Sequence, residues 1–76
     1  MKRKATEEEA GYLREVGERI LIARRRKGWN QKELAGKAGV TAVQISRIER
    51  GHVKTSIIRM RLIKIALDME WEDFFP

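Results

Sequence analysis

Residues Gln31 to Arg50, QKELAGKAGVTAVQISRIER, constrain this 76-residue chain more than any other stretch. Leu34, Ala35 and Ala38 recur at the spacing of one helix face. Gly39 stands where the chain must turn sharply, and glycine takes the positive φ of such a turn without a Cβ penalty. Val40 plugs the corner, and Thr41 offers a hydroxyl to cap a second helix. In that helix Ile45 and Ile48 face inward, three residues apart. Ala35 is small where the two helices must cross. The positions left facing outward are Ala42, Val43, Gln44, Ser46 and Arg47. Two short helices set at a tight turn, the second with polar tips over an apolar underside, have the spacing of a helix-turn-helix. That arrangement places an exposed helix in a DNA major groove.

The charge distribution points the same way. The formal net charge is +6, but residues 24–64 hold twelve Lys or Arg against only Glu33 and Glu49. The remaining residues hold five bases and nine acids. Positive charge therefore collects in and around the motif, as expected for a phosphate-binding surface. With 42% hydrophobic residues, the chain can bury one modest core and fold as one small domain. It has no cysteine and one histidine, which excludes a disulfide framework and the usual zinc sites. No metal or cofactor is expected. The start, MKRKATEEEA, lacks the apolar core of a signal peptide, and no apolar run approaches the ~20 residues of a membrane span. A soluble, cytoplasmic protein is expected.

The pattern predicts an all-α fold of five helices. Thr6 and Glu9 fit a capping box, with Glu7 and Glu8 at the positive end of the helix dipole. The first helix runs to about Lys27, with Leu13, Val16, Ile20 and Ala23 inward and Gly28 as its C-cap. Gly11 and Gly17 weaken it by up to ~1 kcal/mol each relative to Ala. Trp29 closes the core, Asn30 caps the second helix with Glu33 three residues on, and the third helix stops at Gly51. Ser56 caps a fourth helix over residues 57 to about 67, with Ile57, Met60, Ile63 and Leu67 inward. Asp68 breaks the pattern, and a short last helix starts near Glu70.

There is no cysteine nucleophile, paired histidine or phosphate loop, so the chain does not read as an enzyme. Ser46 and Ser56 have surface or capping explanations.

Residues 16–75, about four-fifths of the chain, resemble the helix-turn-helix domain of the Cro/repressor family, often called the XRE family. The matching segments are VGERI, RRRKGWNQKELAGKAGV, TAVQISRIERG and LDMEWEDFF. The resemblance implies a five-helix, lambda-repressor-like domain occupying residues 6–76, acting as a transcriptional repressor or controller. It also implies a homodimer on a pseudo-palindromic double-stranded DNA operator, in a bacterial or phage-encoded, nucleoid-associated protein. Helix 42–50 would enter the major groove. Ala42, Val43, Ser46 and Arg47 match positions that face base edges, and Gln44 can read adenine as a further base contact or bond a phosphate. Arg47 is the strongest of these, since arginine pairs bidentately with guanine O6 and N7. Ala42 and Val43 can touch thymine methyl groups but cannot hydrogen-bond, so DNA shape carries more of the specificity. Gln31 matches a position that contacts phosphate and braces the recognition helix, and Arg50, His52 and Lys54 fit phosphate contacts. Arg24 and Glu49 match a partly buried structural ion pair.

Two further expectations follow. Residues 1–5, with Lys2, Arg3 and Lys4, resemble the flexible basic arm of lambda-type repressors. On the fourth and last helices, Ile58, Leu62, Ile65, Trp71 and Phe75 add apolar surface beyond what a small monomer buries, which predicts a dimer interface. The alternative is an antitoxin-type module that covers this apolar surface with a partner protein and binds DNA for autoregulation. A basic amphipathic helix on a membrane is disfavoured, because the bases surround a turn motif instead of lining one long helix.

Overall fold

Helix starts in this chain are set by side chains that cap them. The computed structural model describes residues 6–52 and 54–76; the expected basic arm, residues 1–5, lies outside them. Five helices follow in order: α1 Glu7–Arg26, α2 Gln31–Ala38, α3 Ala42–Glu49, α4 Ile57–Leu67 and α5 Trp71–Phe74. Ahead of α1, Thr6 Oγ1 accepts from the Glu9 N–H while Glu9 Oε1 accepts from the Thr6 N–H, both at 3.1 Å. Asn30 and Glu33 repeat this reciprocal pair ahead of α2 at 2.7 and 3.0 Å. Ser56 Oγ accepts from the Arg59 N–H at 3.1 Å ahead of α4. Each cap satisfies N–H groups that the first helical turn leaves without partners.

The helix ends are equally local. Gly39 closes α2 at φ +72°, in the left-handed region, as the turn requires. One expectation is corrected at α1: Lys27 is the C-cap, still in helical conformation, and Gly28 at φ +75° is the residue after it. This is where a Schellman-type ending places its left-handed residue. Asp68 ends α4 at φ +55°.

The core is one cluster to which every helix contributes. Val16 and Ile20 enter from α1, and Leu34, Ala35 and Ala38 from α2. Ile45 and Ile48 come from α3, Met60, Ile63 and Leu67 from α4, and Phe74 from α5. Leu13 and Ala23, expected inside, lie only half-buried at its margins. Trp29 packs against the edge of the core, and the Lys27 and Lys37 ammonium groups sit 5.8 and 4.8 Å from its ring centroid.

Two readings of individual positions are overturned. Ile57 does not face inward and is 67% exposed. A helix turns about 100° per residue, so Ile57 and Ile63 lie about 60° to opposite sides of Met60. The core takes the side of Ile63 and Leu67. Gly17, expected only to weaken α1, is buried where α1 crosses α3. A Cβ there would lie 2.3 Å from the Ile48 carbonyl oxygen and 2.6 Å from that of Glu49. The absence of a side chain is what lets the two backbones approach.

The C-terminal residues are strapped to α1. Phe75 stacks between Tyr12 and Trp71, with each pair of ring centroids 6.2 Å apart. Arg19 Nη1 donates to the Asp73 carbonyl at 3.2 Å.

Candidate nucleic-acid interface

α3 is fastened at both ends. At its start Thr41 Oγ1 accepts from the Gln44 N–H at 3.1 Å, and Gln44 Oε1 accepts from the Thr41 N–H at 2.9 Å. At its end the Glu49 carboxylate is buried, with 1% of the side chain exposed, and receives three hydrogen bonds. Arg24 Nε donates to Oε2 at 2.6 Å and Arg24 Nη2 to Oε1 at 3.0 Å. Gln31 Nε2 donates to the same Oε1 at 3.0 Å. Arg24 Nη1 donates to the Trp29 carbonyl at 2.8 Å, completing the network. A carboxylate at a helix C-terminus opposes the helix dipole, and the paired guanidinium offsets that cost. The same hydrogen bond to Glu49 raises the Arg24 guanidinium above the ordinary arginine pKa, against the opposing effect of burial. Three helices thus meet at one carboxylate, which fixes the pitch of α3 against the body of the protein.

Between its fastened ends α3 shows solvent a narrow strip. Val43 is 63% exposed, and Arg47 and Arg50 follow it one and two turns on. Arg47 makes no side-chain hydrogen bond or ion pair among the described residues. Arg50 leans back, with Nε 3.4 Å from the Ser46 carbonyl. His52 is exposed in the turn after α3, where its backbone N–H donates to the Arg47 carbonyl at 3.0 Å.

The other residues singled out from the sequence are less free. Ala42, expected outward, packs half-buried against the core. Ser46 is half-buried. Gln44 spends its amide oxygen on the cap, and Gln31 spends an amide hydrogen on Glu49. Lys54 Nζ lies 3.4 Å from Glu9 Oε2, so its charge is shared with the start of α1. The role of Gln44 was missed from sequence, although Thr41-x-x-Gln44 is itself a capping-box spacing.

α4 carries a second exposed strip. Ile58 is 71% and Ile65 55% exposed, with Leu62 between them; Phe75, stacked on Tyr12 of α1, is exposed as well. Trp71 packs half-buried on the core, with the Lys64 ammonium 5.5 Å from its ring centroid. Among the described residues no group of three His, Asp or Glu side chains could hold a metal ion, and no helix is long and apolar enough to cross a membrane.

Known proteins share this layout. The helix-turn-helix family matches residues 20–74. The chain is 33% identical over 61 residues to the HTH-type transcriptional regulator SlrR of Bacillus subtilis (strain 168), covering 79% of this chain and 40% of that protein. It thus spans about two-fifths of the length of this relative. Among solved structures, the restriction–modification controller protein C.AhdI from Aeromonas hydrophila superposes with a TM-score of 0.79 at 29% identity. That match covers 87% of this chain and 98% of the controller. A hypothetical transcription factor, NHTF, from Neisseria shares the fold with a TM-score of 0.78 at 23% identity, over 100% of this chain and 87% of its own.

Proposed function

The chain belongs to the Cro/repressor helix-turn-helix family, and from that premise we propose that it is a sequence-specific double-stranded DNA-binding transcriptional regulator. In this reading it is a binding protein and not an enzyme. α3 enters the major groove, and Arg47 contacts a base edge. The observation that carries the reading is the state of α3: its ends are held by side-chain hydrogen bonds, while Arg47 at its exposed centre makes no side-chain hydrogen bond or ion pair among the described residues. Holding the helix fixed lowers the entropy cost of binding, and an unpaired guanidinium has five donors to offer. Arg50 and His52 reach phosphates at the groove edge. Gln31 and Lys54 serve first as internal braces, through Glu49 and Glu9, and meet phosphate only secondarily. Lys2, Arg3 and Lys4 add phosphate contacts from the N-terminal arm.

The regulator works as a homodimer. Ile58, Leu62, Ile65 and Phe75 offer the apolar surface that a second copy would cover, with Trp71 behind them. Two copies related by a two-fold axis would place their α3 helices about one DNA turn, ~34 Å, apart on an inverted repeat. Repression follows where the repeat overlaps a promoter.

Selection from a randomised duplex library at two salt concentrations tests this. Wild type enriches an inverted repeat, and Arg47→Ala relaxes one position in each half of it. Uniform, steeply salt-dependent binding with no enriched repeat would overturn the reading.

A further inference from the structure

The run of bases Arg24 to Lys27 at the end of α1 is only half used. Arg24 is spent on Glu49, and Lys27 Nζ donates to Asp68 Oδ2 at 2.6 Å. Arg25 and Arg26 make no side-chain hydrogen bond or ion pair among the described residues, and Arg26 lines an open cleft. Arg19, Ile22, Ala23 and Arg26 recur three and four residues apart, so they share one face of α1 and form one wall. Leu67 at the end of α4, Met69 after it and Asp73 of α5 form the other. The cleft holds about 710 Å³, inside the ~300–1,000 Å³ of small-molecule sites.

Its two ends differ in charge. At the α5 end, Arg19 Nη1 donates to the Asp73 carbonyl at 3.2 Å and Nη2 lies 3.8 Å from Glu15 Oε1, so this guanidinium is already engaged. The Asp73 carboxylate adds a negative group there. Two helical turns further along, about 10 Å, Arg26 stands unpaired with Lys27 beside it. Between the ends Ile22, Ala23, Leu67 and Met69 give an apolar floor, and the Met69 thioether adapts to ligands of different shape. We infer that this cleft is a binding site for a small apolar carboxylate, its body on Ile22 and Met69 and its charge on the Arg26 guanidinium. The guanidinium fork matches a carboxylate with two parallel N–H···O bonds. Asp73 repels the same charge from the α5 end, which fixes the orientation. A cation meets Arg26 and Lys27 unfavourably, and a neutral apolar molecule gains nothing from either. The site is separate from the DNA-binding role proposed above and does not depend on it.

The experiment follows the methyl resonances of Ile22, Leu67 and Met69 in the full chain as hydrocinnamate, or separately its neutral amide, is added. Hydrocinnamate is expected to move all three saturably and to bind about fivefold more tightly than the amide, the upper end of what one exposed charge pair contributes. Arg26→Gln should abolish that advantage, and Arg25→Gln, which lies outside the cleft, should keep it. Both positions are exposed, and thermal melts check that both variants fold. Methyl groups that do not move would overturn the assignment, as would acid and amide binding equally. Displacement of hydrocinnamate by added duplex would assign Arg26 to the phosphate-binding surface and overturn it too. So would an Ile22→Glu variant that sediments as a monomer where wild type is dimeric, because a second copy would then cover the cleft. A wild type that selects no DNA motif would overturn the DNA-binding role and leave this site standing.

Discussion

Glu49 concentrates more structure than any other residue of this chain. Its carboxylate is buried at the end of α3 and is held by Arg24 and Gln31, so removing it leaves a buried guanidinium without its partner. Breaking such a pair from one side costs about 3–5 kcal/mol. Glu49→Ala is accordingly expected to lower the chemical denaturation midpoint sharply, and an unchanged midpoint would show the pair to be dispensable. Arg24→Met combined with Glu49→Leu is expected to recover much of the loss, because no uncompensated charge then remains. Arg24, with its pKa raised, stays cationic wherever the protein folds, so this part of the network does not titrate from the arginine side. Asp68 behaves differently. Its exposed carboxyl accepts from Lys27 Nζ at 2.6 Å, and that contact lowers its pKa below the ordinary aspartate value. A depressed folded-state pKa gives a contribution present at neutral pH and lost as pH falls through the folded value. Lys27→Met should return the Asp68 carboxyl titration, followed by NMR, upward to the ordinary range. A titration that does not move would show the contact absent in solution.

At the scale of the element, α1 holds two glycines with opposite roles. A Cβ at Gly11 meets only the Arg14 side chain at 3.8 Å, an ordinary contact. Gly11→Ala is expected to stabilise the protein by about 0.5–1 kcal/mol through helix propensity. At Gly17 the same Cβ would lie 2.3 Å from backbone on α3, which cannot yield without shifting that helix. Gly17→Ala is expected to destabilise by about 1–3 kcal/mol, the usual range for overpacking. Thermal melts of the two variants check the pair, and equal shifts would place the α1–α3 crossing wrongly. From sequence both glycines read as the same small penalty, because helix propensity is a property of the residue and the crossing partner is 31 positions away. The caps of α1, α2 and α4, by contrast, were legible. Thr6 with Glu9, Asn30 with Glu33, and Ser56 bond within the first turn, where sequence spacing equals spatial spacing.

For the whole molecule, the proposed function gives the two exposed faces different partners: DNA at α3 and a second copy at α4. Ile58→Glu with Ile65→Glu places charge on the apolar strip while touching nothing in the core. This variant is expected to sediment as a monomer at concentrations where wild type is dimeric. Exposed positions usually change stability by no more than about 0.5 kcal/mol, so its melt should match wild type. A wild type that is monomeric with and without duplex would overturn the dimer. Deleting residues 1–5 removes three bases, and the slope of log affinity against log salt should flatten by up to about 3. An unchanged slope would mean the arm does not meet phosphate.

What the sequence alone determined is what lies within a turn of helix or a single bend. The caps, the left-handed Gly39, the outward Val43 and Arg47, and the second apolar strip of α4 follow from spacings of three or four residues, which the helix period converts directly into geometry. The tertiary structure decided everything that depends on which elements meet. Gln31 reaches Glu49 and Lys54 reaches Glu9 across 18 and 45 positions, and Ile57 is left outside because the core takes the other side of Met60. Gln44 stands between the two cases. Its cap is local and could have been read, but that its amide oxygen rests on the backbone of Thr41 is seen only in the folded helix.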